Sequence, residues 1–382
     1  MPTHHLYLVP GFFGFANLGD LAYFHHVRDV LLATLGERGL DVKIWPVETS
    51  PTASIRRRAA ILLETIAATA GEGDDPIHVV GHSSGGLDAR LLVTPGAALP
   101  TNHEVEPWAA RVRSVVTVST PHHGTPAAGF FASVLGQKLL EVLSLGTIYA
   151  LRFGHVPIAA LLKLGALTAR LDEHVGFDHN VLDQIYGQLL ADFTPERRET
   201  ILGFLHEVRG DQALLPQITP EAMDVFNAST GDRPGVACGS VITWARAPGV
   251  GSTLAAGLDP YAQGTHALYS VMHRLSSRMK AVDLAPAQAA ALVGAYGAVP
   301  PAASSDGMVP THSQPWGEVI HATRADHLDV IGHYHDPQAL PPHFDWLSSG
   351  SGFDRTRFLA LWSDVAGFIA AAAAAAPAAA SA

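Results

Sequence analysis

The sequence predicts an α/β fold: a mostly parallel central sheet flanked by helices, with a helical segment inserted into it. Three observations carry that prediction. Short apolar, β-favouring runs alternate with helix-like stretches, and several are continuous, as strands covered on both faces are. One of them, Ile77 to Val80, passes straight into Gly81-His82-Ser83-Ser84-Gly85 and then into a helix. From Gly129 to about Phe193 the alternation stops and the chain turns apolar and helix-like.

Composition sets the bounds. Of 382 residues, 48% are hydrophobic and only 15% charged, which argues for a large buried core and against disorder. A formal charge of −11 argues against nucleic acid and against electrostatic binding to anionic lipid, so any lipid contact has to be apolar. The 21 histidines are scattered and show no zinc spacing. Cys238 is the single cysteine, so no intrachain disulfide forms. The chain enters a strand almost at once, with no Lys or Arg before Arg28. That is no signal peptide, and the expectation is a cytoplasmic protein, or a secreted one whose leader is missing from this chain.

Taken in order, residues 1–125 read as the first part of the core. His5 to Val9 is a strand that ends at Pro10-Gly11 and runs into the aromatic loop Phe12-Phe13-Gly14-Phe15. Asp41 to Val47 is a second strand. Thr52 to Ala70 is a helix, with Ile55, Ala59, Leu62 and Ile66 on one face and Gly71 as its stop. The Ile77 strand, a helix from Ser84 to Val93 and a strand from Val112 to Ser119 follow. Residues 126–234 read as a helical lid or cap. Arg152 and Lys163 cut its apolar run into pieces of about ten residues, short of the roughly 18 that a membrane span needs. No transmembrane segment is expected, and an opening lid would expose apolar surface for transient contact with a lipid interface. Residues 235–369 complete the core. They hold a strand from Gly235 to Ala245, a segment to Lys280, an Ala/Pro-rich connector from Ala285 to Ala303, a strand from Glu318 to Thr323 and a helix from Thr356 to Ile369. Residues 370–382 are a low-complexity alanine tail, expected to be disordered.

The chemistry centres on Ser83. A serine between glycines two places before and two after, on a strand–turn–helix, sits on a turn too sharp for side chains at 81 and 85. Its hydroxyl is then exposed at a helix N-terminus, where backbone N–H groups can stabilise an oxyanion. A serine hydroxyl needs a base, and the base needs an orienting acid. In the α/β-hydrolase fold the chain order is Ser, acid, His, each on a loop at a strand's carboxyl end. Asp306, in the turn Ser304 to Pro310, and His327, just past the last strand, meet those conditions. His321 lies within a strand, His82 points away from Ser83, His122 and His123 precede any suitable acid, and His333 and His335 lie farther past the strand. The oxyanion donors expected are the backbone N–H groups of Ser84 and Phe12.

These pieces resemble the bacterial triacylglycerol lipases of the Pseudomonas/Burkholderia type. The matching stretches are VPGFFGF (9–15), GHSSGG (81–86), VSTPHHGTP (118–126), ITPEAMDVFN (218–227), VACGS (236–240), SSDGMVP (304–310) and DHLD (326–329). They follow the family's order over about half the chain, and the lid matches only in character. The family's first motif begins His-Gly where this chain has Pro10-Gly11. The resemblance implies the same triad and donors, and an ester or lipid substrate. It also implies a structural calcium near the histidine, held by Asp329 and by Asp259 of Leu258-Asp259-Pro260. Read without the family, Asp259 caps a turn before proline and Asp329 is solvated or paired. The chemistry itself requires no cofactor. The expectation is a serine hydrolase for carboxylic esters of apolar acids. The alternatives are an acyltransferase with the same triad and a non-catalytic binding protein of the same fold.

Overall fold

Side chains alternating between two cores organise the sheet. In β1 (His4–Val9) every residue is buried; Leu6 and Leu8 join the core on one face, Tyr7 and Val9 the core on the other. With β2 (Val42–Pro46), β3 (Ile77–His82), β4 (Val112–Val118), β5 (Ala237–Thr243) and β6 (Glu318–Thr323) it forms one parallel sheet, ordered β2-β1-β3-β4-β5-β6. This computed structural model describes residues 2–12, 23–153, 156–161, 163, 179–257, 259–339, 343 and 345–375. Phe13, Gly14 and Phe15 of the aromatic loop, Leu258, and 376–382 of the tail lie outside the described residues.

Helix α1 (Val27–Glu37) and the C-terminal helix Arg355–Ala374 cover one face, sending Val27, Leu31, Phe358 and Trp362 into its core. Helices α2 (Ile55–Thr69) and α3 (Gly85–Val93) cover the other, through Leu62, Ile66, Ala89 and Leu92. Of the described helices, only Arg355–Ala374 is long and apolar enough to cross a membrane, and here it packs on the sheet, with the Trp362 indole N–H donating to Val330 O.

Several elements differ from the sequence reading: α1 and the short helices Val105–Ala109 and Val250–Ala256 are absent from it, and three further differences have a clear cause. Helix α2 begins at Ile55, because the Ser54 hydroxyl accepts from Arg57 N and so marks the N-cap. The Ala/Pro-rich connector contains a helix, Pro286–Tyr296, with proline in its first turn and left-handed Gly297 closing it. The last helix runs to Ala374 instead of Ile369, since alanine is the strongest helix former and continues the element into the expected tail.

Between β4 and β5 the chain forms a run of helices, among them Val134–Phe153, His179–Ala191, Pro195–Gly210 and Pro220–Ser229. Leu140, Leu145, Ile185, Leu189 and Ile201 from these helices share one core with Phe12, Leu87 and Met272. The insertion therefore packs onto the end of the sheet that carries Ser83. Its last helix is moored there by Asn227, which accepts from Arg90 at 2.7 Å and donates to His122 O at 2.9 Å. A fully buried ion pair joins Arg58 to Asp88 at 2.9 Å, and Arg58 also donates to Pro10 O at 2.6 Å. That pair ties α2, α3 and the end of β1 together.

Candidate active site

From β1 the chain crosses to β2 on one side, then returns to β3 on the other. The carboxyl ends of β1 and β3 therefore lie side by side at the switch point, with Val9 opposite Gly81. Ser83 follows β3 with φ +55°, a left-handed conformation costly for a non-glycine residue. A Cβ on Gly81 would stand 2.4 Å from Gly85 O, and one on Gly85 would stand 2.3 Å from Val9 O. Both are backbone collisions, which accounts for the two glycines. Gly11 is as tightly held: a Cβ there would stand 2.5 Å from Ser83 Cβ. The turn carrying Gly11 and Phe12 thus rests directly on the serine. Ser84 occupies the N-cap of α3, so its backbone N–H stands at a helix N-terminus.

Asp306 and His327 are brought together. His327 Nδ1 lies 2.8 Å from Asp306 Oδ2, and His327 N donates to Asp306 O at 3.0 Å. The carboxylate is fully buried and richly satisfied: Oδ1 accepts from Met308 N at 2.9 Å and Val309 N at 2.8 Å, and Oδ2 from the Thr243 hydroxyl at 2.8 Å. An ionised carboxylate only accepts, so His327 carries its proton on Nδ1 and presents a lone pair at Nε2. Ser83 Oγ and His327 make no hydrogen bond with each other here. The His327 ring lies 4.6 Å from that of His82, the residue before Ser83. Serine–base contacts of this kind commonly close only with substrate bound.

Two side chains escaped the sequence reading. His82, set aside there as pointing away from Ser83, has Nδ1 2.7 Å from the Tyr23 hydroxyl and Nε2 3.0 Å from His327 O. The Tyr23 oxygen accepts from Gly11 N at 2.9 Å. Burial, and then the neighbouring His327, hold the His82 pKa well below the ordinary histidine range, so it stays neutral. No local signal marks Tyr23, because its partner is 59 residues away. The rival histidines are occupied elsewhere. His321 pairs with Asp364 at 2.8 Å, and His333 Nε2 lies 3.0 Å from Tyr23 O.

The carboxylates expected to hold calcium, Asp259 and Asp329, have different surroundings. Asp326, Asp329 and Asp345 each place an oxygen within 4.8 Å of the others, and Asp259 is not among them. The Asp259 carboxylate instead accepts from Tyr261 N and Ala262 N, both at 3.0 Å, as the N-cap of helix Pro260–Ser276. Asp326 Oδ2 is buried with no hydrogen-bond partner. Burial is the first cause that pushes Asp345 up to about 7, and it drives Asp326 and Asp329 well above the carboxylate range. Three hard oxygen donors and an orphaned buried oxygen fit a calcium ion.

An apolar cleft lies beside the acid and the base. Met308 and Leu328, Val142, Leu161 and Leu189 from the insertion, and Tyr23 all line it.

No family model matches the sequence. A triacylglycerol lipase of Pseudomonas fragi is 28% identical over 170 residues, which cover 42% of this chain and 52% of that one, so the match spans about half the relative's length. Among solved structures, lipase 1 from Pelosinus fermentans is similar with a TM-score of 0.52 at 16% identity, covering 97% of this chain and 99% of that one. EstA from Clostridium botulinum gives 0.52 at 17%, covering 96% and 87%. Staphylococcus hyicus lipase gives 0.50 at 13%, covering 97% and 96%. At such identities these likenesses speak to architecture alone. The chain has the α/β-hydrolase fold, with a distant and partial sequence likeness to a bacterial triacylglycerol lipase.

Proposed function

We propose that this protein hydrolyses carboxylic esters of apolar acids through an acyl-enzyme. One observation carries the reading: a strained serine packed against the Gly11 turn, with a buried Asp306–His327 pair on the adjoining loops. Ser83 Oγ attacks the ester carbonyl and His327 Nε2 takes its proton. The tetrahedral oxyanion is held by the backbone N–H groups of Phe12 and Ser84, each such donor typically contributing about 10²- to 10³-fold in rate. His327 then protonates the leaving alcohol as the C–O bond breaks. Water, deprotonated by His327, cleaves the acyl-enzyme and releases the acid, and Asp306 keeps His327 in its Nδ1–H tautomer throughout.

The apolar cleft favours an apolar acyl chain. The helical insertion, residues 126–234, acts as a lid whose opening brings apolar surface to an aggregated substrate. Calcium, held by Asp326, Asp329 and Asp345, would neutralise their charge and pin the His327 loop.

The Ser83→Ala variant should lose p-nitrophenyl ester turnover and fluorophosphonate labelling while keeping its circular dichroism and melting temperature. Turnover retained by that variant overturns the scheme. Product analysis with an added alcohol separates hydrolysis from acyl transfer. Rates on emulsified long-chain triacylglycerol against a soluble short-chain ester then fix the substrate class.

A further inference from the structure

We infer that Tyr23 and His82 are positioning residues which hold the Gly11–Phe12 turn and the His327 loop in one register around Ser83. The inference rests on the roles proposed above for Ser83, Phe12 and His327. The direction of every proton along the connection follows from chemistry. His327 O is a carbonyl and can only accept, so His82 Nε2 carries the hydrogen across the 3.0 Å contact. His82 Nδ1 is then a lone pair, and at 2.7 Å it must accept from the Tyr23 hydroxyl. The hydroxyl oxygen is left to accept the Gly11 N–H at 2.9 Å. The relay thus runs from Gly11 N–H through Tyr23 and His82 to the backbone of the base.

Its members are shielded from water. Tyr23 is 8% exposed, His82 fully buried and His327 2% exposed, so a broken link leaves an orphaned polar group instead of a hydrated one. Tyr23 is anchored in turn, since its carbonyl oxygen accepts from His333 Nε2 at 3.0 Å. The relay joins two loops 316 residues apart (Gly11 and His327), each touching the elbow from a different side. A side chain serving only as core filling would need neither polar end. Here both ends are used, each with a fixed sense.

Displacing the oxyanion turn or the base by a fraction of an ångström weakens interactions made in the transition state more than substrate binding. The test uses the full chain and a soluble p-nitrophenyl ester. Tyr23→Phe and His82→Leu should lose about 10- to 100-fold in kcat, with KM changed by less than about threefold. Glutamine carries a donor N–H and an acceptor oxygen on one planar group, so His82→Gln preserves the polarity of the relay and should restore most of the kcat lost in His82→Leu. Imidazole ¹⁵N NMR, assigned by the signal missing in His82→Gln, should place the His82 proton on Nε2. Three results would each overturn the inference: wild-type kcat in Tyr23→Phe, equal impairment of His82→Gln and His82→Leu, or a His82 proton on Nδ1. A wild-type protein that neither turns over ester nor labels with fluorophosphonate refutes the proposed function instead, and the NMR tautomer then decides the relay by itself.

Discussion

The glycines around Ser83 are not equivalent, and their contacts rank them. At Gly81 and Gly85 an added Cβ meets backbone at 2.4 and 2.3 Å, which no side-chain rotation relieves. At Gly86 it meets the Thr120 side chain, with Oγ1 at 2.1 Å. Thr120 Oγ1 is itself buried without a partner, so shortening that residue removes an orphan as well as a clash. Gly81→Ala should therefore destabilise by about 2 kcal/mol or more, like other overpacked or strained core sites, whatever stands at 120. Gly86→Ala should be largely rescued by Thr120→Ala. Chemical denaturation of the two single variants and the double variant checks this, and strictly additive losses would refute the contact argument.

The loop after β6 shows what an element asks of its residues. It places His327 between Asp326 and Asp329, carboxylates driven up first by burial and then by neighbouring charge, that of Asp329 and Asp345 on Asp326 and that of Asp345 on Asp329. A cation at that cluster would supply the missing countercharge. Adding calcium to chelator-treated protein should raise the melting temperature by several degrees, since a ligand at about 100 times its Kd stabilises by roughly 2.7 kcal/mol. Asp345→Asn should abolish the calcium-dependent part of the shift. Asp259→Ala should leave that shift intact and lower the calcium-free melting temperature through loss of a cap, a cost of about 1 kcal/mol. An unchanged calcium shift in Asp345→Asn would remove that residue from the ligand set.

Across the whole molecule, the buried histidines set the response to acid. Burial lowers His78 to about 3 and His25, His273 and His343 to about 4. It also holds His82, His122 and His333 well below the ordinary range. A histidine depressed in the folded state takes its proton first in the unfolded chain, so the stability it lends at neutral pH is lost as pH falls from about 6.5 towards 4. The full slope is about 1.4 kcal/mol per pH unit for each. Carboxylates raised by burial, Asp88 to about 6 and Asp345 to about 7 with Asp326 and Asp329, act in the opposite sense over part of that window. They are fewer, and calcium would suppress three of them. Melting temperature in calcium buffer should therefore fall between pH 7 and pH 5, and a flat or rising profile would contradict this balance.

The strands, helices α2 and α3, the C-terminal helix and the elbow were legible from the residues alone. Those features rest on short-range rules: apolar runs, caps, and glycines where a turn forbids side chains. The sequence also singled out Asp306 and His327, because chain order and strand ends constrain where an acid and a base can stand. Which carboxylates gather became visible only in three dimensions: Asp326, Asp329 and Asp345 lie together, while Asp259 caps a helix. Only the tertiary structure showed that Tyr23 and His82 join the Gly11 turn to the base. The reason is physical. A hydrogen bond or an acidic cluster depends on where side chains end after the sheet has brought distant segments together, and residues 23, 82, 327 and 345 carry no local pattern that records it.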